Sequence, residues 1–146
     1  MLVAVAVLVA GCGGSQPRLT RAAFSQRANA VCARYTTLVR SVVSSAASTN
    51  LMSVQTAVTQ ALPVARAGND ELRGLRPPTE LQDAWDRWLD ASDRQLKGLE
   101  QLENAAEKSD VDGVVAALKT LAGTNVGQAR LDAAALGLSE CGALVR

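Results

Sequence analysis

Histidine is absent from this 146-residue sequence. Its absence removes the commonest general base, the commonest metal ligand and the usual haem ligand. Aromatic residues are scarce too, with one Phe, one Tyr and two Trp. The apolar content is mostly Ala, Val and Leu, a mixture that favours closely packed helices over sheets. Neither sign of charge prevails: the net charge is +1, so no global field steers the chain to nucleic acid or to another strongly charged partner. A Gly-rich phosphate loop, Ser-x-x-Lys and Gly-x-Ser-x-Gly are all missing, as is a loop with calcium-ligand spacing. No cofactor, no metal and no nucleic-acid partner are expected, and the chain reads as non-enzymatic.

The first apolar run is also short. Residues 2–10 read LVAVAVLVA, and nine helical residues span only about 14 Å, less than half a hydrocarbon core. A short uncharged run followed by small residues is the pattern of a cleavable export signal. The stretch Val9-Ala10-Gly11-Cys12 resembles the bacterial lipobox, in which a diacylglyceryl group is added to the cysteine thiol and cleavage leaves that cysteine as the N-terminus. This reading divides the chain into a lipoprotein signal peptide (residues 1–11), a lipid-anchored flexible tether (12–19) and a helical domain (20–146). It places the protein on the extracytoplasmic face of a cell membrane, anchored through Cys12. Export signals normally open with Lys or Arg and here only Met1 precedes the apolar run, so a basic stretch upstream of Met1 is expected.

Three cysteines occur. With Cys12 carrying lipid, Cys32 and Cys141 remain, and an even pair in an oxidising compartment reads as a disulfide. Two free thiols are the alternative. A metal pair is disfavoured without histidine to complete the site.

The remainder reads as four amphipathic helices. Thr20 is a suitable N-cap for a first helix over about 20–48, whose face is Phe24, Ala28, Val31, Tyr35, Leu38 and Val42. Asn50 caps a second, with Leu51, Val54, Val58, Ala61, Leu62 and Ala65 inward, a kink expected at Pro63 and a stop at Pro77-Pro78. Thr79 and Gln82 have capping-box spacing for a third. Its apolar face is Leu81, Trp85, Trp88, Leu96, Leu99, Leu102 and Ala106, supported by the i,i+4 pairs Asp83–Arg87, Asp90–Arg94 and Asp93–Lys97. Ser109 or Asp110 caps a fourth helix, whose core face is Val111, Val114, Val115, Leu118, Leu121, Ala122, Val126 and Ala129 and which continues to about residue 136. Gly137 and Leu138 have the places they take in a Schellman ending. Short connections suggest an up-down-up-down four-helix bundle closed by a Cys32–Cys141 bond. Three long helices with the second one broken are the alternative.

Two side-chain groups are candidates for binding. Asp83, Asp86, Asp90, Asp93 and Glu100 share one stripe of the third helix, a candidate face for a basic partner. A solvated face complementing an Arg-bearing neighbour explains the same stripe. Trp85 and Trp88, with Tyr35, are candidates to line an apolar pocket between helices, although such residues more often fill a core. The leading reading is therefore a lipid-anchored envelope protein that binds or scaffolds a partner. A carrier or sensor of a small apolar ligand near Trp85 and Trp88 is the alternative.

Three segments resemble a loose family of small exported helical lipoproteins from actinobacteria: Arg27-Ala28-Asn29-Ala30-Val31-Cys32, Leu75-Arg76-Pro77-Pro78 and Leu136-Gly137-Leu138-Ser139-Glu140-Cys141. The resemblance implies the helical fold and the Cys32–Cys141 bond. It implies no mechanism.

Overall fold

The computed structural model describes residues 17–46, 50–123 and 126–143. Among these residues every regular element is helical: α1 (Arg21–Ala46), α2 (Leu51–Arg73), α3 (Gln82–Glu107), α4 (Val111–Gly123), α5 (Val126–Ala135) and α6 (Ser139–Ala143), with a 3-10 turn at Thr79–Leu81 before α3. The leader, Cys12 and the first part of the tether lie outside the described residues.

Local chemistry sets most helix ends. The Thr20 hydroxyl accepts the Ala23 N–H at 3.3 Å, and the Asn50 side chain accepts from Met52 and Ser53. Asp110 accepts the Gly113 N–H at 2.9 Å. These are the expected caps, each satisfying N–H groups that the first helical turn leaves unpaired. At the end of α5, Gly137 takes φ 73°. Its N–H bonds to Ala134 and that of Leu138 to Ala133, the paired bonds of a Schellman ending. The helix α3 ends in the same way, with Ser109 at φ 55° and N–H bonds from Ser109 to Ala106 and from Asp110 to Ala105. α2 continues through Pro63, which is exposed.

The start of α3 differs from expectation. Thr79 forms no capping box, and no side-chain cap bond precedes α3. Gln82 is engaged elsewhere: its oxygen accepts from Arg18 at 2.8 Å and its amide nitrogen donates to Asp86 at 2.9 Å. Arg18 also donates to the Pro77 carbonyl, and the Leu19 N–H to that of Arg76. Two residues expected in the tether are thus stitched onto the α2–α3 connection, and Leu19 packs on the core.

Each long helix runs antiparallel to the next. Arg34 of α1 pairs with Glu71 near the end of α2, and Arg66 and Arg73 of α2 pair with Glu100 and Asp93 of α3. The other side of α3 is covered by α4 and α5 in place of the one expected helix. α4 turns Val114 and Ala117 inward, while Val111, Val115 and Ala122 of the expected core face are exposed, because α3 covers only one side of it. Residues 124–125 between α4 and α5 lie outside the described residues. The two still keep a single register along α3: Gly98 lies against Leu121, and eleven residues earlier Arg87 pairs with Asp132, eleven residues later. α6 returns to α1, where Cys32 and Cys141 form a disulfide with Cα atoms 5.0 Å apart.

Two apolar clusters fill the interior. One joins Phe24, Val31, Cys32 and Tyr35 to Trp85, Trp88, Leu136, Leu138 and Cys141. The other joins Val42 to Val54, Val58, Leu102, Val114 and their neighbours. No helix among the described residues is long and apolar enough to cross a membrane.

Candidate functional site

The aromatic residues meet in the first cluster. Trp85 and Trp88, one helical turn apart on α3, stack at 5.2 Å with ring planes 2° apart. Phe24 presents its edge to Trp85 at 4.9 Å, the T-shaped geometry that aromatic quadrupoles favour. The tryptophans are 1% and 5% exposed. Tyr35 belongs to the same cluster, and its hydroxyl donates to the Ala65 carbonyl at 2.7 Å. Burial pushes its pKa up to about 12; a hydrogen bond from the Asn69 backbone opposes this, and Glu71 adds to it. The ring reaches α2 because residue 68 is glycine: a Cβ there would lie 1.6 Å from the hydroxyl oxygen.

A polar network lies between α2 and α3. Asn69 is buried; its oxygen accepts from Ser92 at 3.0 Å and its nitrogen donates to Asp93 at 2.7 Å. Arg73 donates to the second Asp93 oxygen. Burial alone would raise the Asp93 pKa, but hydrogen bonds from Arg73 and Asn69, with the charges of Arg73 and Lys97, hold it below its usual value.

These bonds divide the acidic stripe. Asp93 and Glu100 are ties to α2, the latter accepting from two nitrogens of Arg66. Asp83, Asp86 and Asp90 remain exposed. The complementing arginines come from α2, and Asp93 and Arg87 find partners on other helices, across the interfaces.

Asp132 is a buried acid that the sequence pattern does not single out. Its side chain is 6% exposed and accepts from Arg87, itself 56% exposed, at 3.0 Å. The only sequence signal is an acid set among Ala129, Ala133 and Leu136, which are all buried. Near it in sequence, Arg130, Ala134, Gly137, Leu138, Ser139 and Gly142 line an open surface groove of about 470 Å³.

Among the described residues, no three His, Cys, Asp or Glu side chains converge as metal ligands would, and no buried side-chain polar atom lacks a partner. No protein-family model matches the chain, and no curated protein or solved structure matches it either.

Proposed function

We propose that this chain is an exported lipoprotein, anchored through Cys12 to the outer face of a membrane, whose helical domain binds or scaffolds an envelope partner without catalysing a reaction. In this reading the domain is an up-down-up-down four-helix bundle whose fourth side is α4 followed by α5. The observation that carries the reading is the Cys32–Cys141 disulfide. Such bonds persist in oxidising compartments outside the cytoplasm. The bond also leaves Cys12 as the odd cysteine, preceded by the apolar residues 2–10 and the small residue Gly11, the order of an export signal and its cleavage end. The exposed carboxylates Asp83, Asp86 and Asp90 are the surface offered to a basic partner.

The test is Cys12→Ser in the full chain, expressed in a bacterium that processes lipoproteins. The expected result is loss of the acyl mass from the mature protein and its release from the membrane fraction. A variant that stays membrane-bound and normally processed overturns the anchor.

A further inference from the structure

The helix α4 carries an apolar strip that the described chain leaves open. Val111 is 62% exposed and Val115 is 45% exposed; Leu118 is half-buried and Ala122 exposed. Steps of four, three and four residues set these side chains in one line along the helix. The adjoining face holds α4 to α3 through buried Val114 and Ala117 and through Leu121 against Gly98. Asp112 and Lys119 lie seven residues apart, hence on one edge of the strip, the edge away from Val114. Both are exposed, and neither meets an ion-pair partner among the described residues.

We propose that this strip is the contact of a two-fold homodimer, with α4 lying antiparallel to α4 of a second copy. Pairing about a point between Val115 and Leu118 sets Val111 against Ala122 of the second copy, and Val115 against its Leu118. The same pairing brings the edge carrying Asp112 beside the edge carrying the second copy's Lys119, and the two-fold axis repeats that contact. One acid and one base on each edge thus suit an identical helix in the reverse direction. They suit an anionic lipid surface poorly, because Asp112, on the edge of the strip, would face headgroups of like charge. The helix has 13 residues, so the contact is small and the dimer reversible rather than obligate. This inference does not depend on the anchor.

The test is sedimentation equilibrium of the full chain carrying Cys12→Ser, exported so that Cys32 and Cys141 pair and free of lipid that would cause micellar association. A concentration-dependent monomer–dimer equilibrium is expected. Asp112→Lys or Lys119→Asp alone weakens it about tenfold, since two surface ion pairs are lost together, and the two exchanges combined restore it. Val115→Glu, at an exposed position, yields a monomer with unchanged helicity. A chain that stays monomeric at every concentration, or a dimer indifferent to the charge exchange, overturns the proposal. So does Val115-dependent sedimentation with phosphatidylglycerol vesicles, which would assign the strip to lipid. The anchor is read separately, from acyl mass on Cys12.

Discussion

Tyr35 reaches the α2 backbone only because residue 68 has no side chain. Gly68→Ala must displace the ring and its hydrogen bond, and overpacking of this kind costs about 3 kcal/mol, readable as a shift of the urea midpoint. Tyr35 is also the sole tyrosine, so phenolate absorbance reports on it alone. Its folded-state pKa of about 12 lies above the ordinary value of 10.0. The neutral hydroxyl therefore contributes stability fully below pH 10, and that contribution is lost as the pH rises through about 12. Titration of the folded protein should show a midpoint near 12 and return to about 10 in denaturant; a midpoint near 10 in the folded state would refute the buried placement. Asp93 has the opposite sign. Its folded-state pKa is lowered, so its contribution is present above the unfolded value of about 3.9 and disappears as the pH falls through the depressed one. Asp93→Asn should therefore flatten the acid limb of the stability profile and leave its alkaline limb unchanged.

Helix ends separate what was legible in the sequence from what was not. Thr20, Asn50, Asp110 and Gly137 act on backbone groups within a few residues of themselves, so the local sequence contains nearly all that decides them. The Thr79–Gln82 box had the right spacing and does not form, because Arg18, 64 residues away in the chain, holds Gln82. The same reason hid the partners of Asp93 and Arg87: long side chains choose among neighbours that only the fold brings near. It also left the acidic stripe half read, with three of its carboxylates exposed and two tied to α2. Ser109 was unreadable for another reason, since a left-handed ending usually holds glycine. Ser109→Gly should accordingly stabilise the protein by about 1 kcal/mol, while Gly137→Ala, at φ 73°, costs about 1 to 2 kcal/mol. The pair between α3 and α5 is asymmetric. Arg87→Ala leaves a buried carboxylate without its partner and should cost about 3 kcal/mol, whereas Asp132→Asn frees an arginine already half in water and should cost about 1 kcal/mol. Equal losses in denaturant midpoints would show that Asp132 is hydrated.

Across the whole molecule, the disulfide links residues 109 apart. The chain-entropy model gives about 4 to 5 kcal/mol for a loop of that length. Reduction, or paired replacement of Cys32 and Cys141 by Ala, should lower the stability by that amount; thiol alkylation that labels both residues without reductant would refute the bond. The same link decides where mechanical tension travels. A pull between the start of the chain and its C-terminus runs along α1 to Cys32, crosses the sulfur bridge and leaves through α6. The chain between the two cysteines, with α2 to α5 and most of the interior, bears no load. Stretched from outside the bridge, the oxidised protein yields only the residues before Cys32 and after Cys141. Cutting the bridge releases roughly 380 Å of additional contour, so a single bond decides whether this domain resists force or unravels under it.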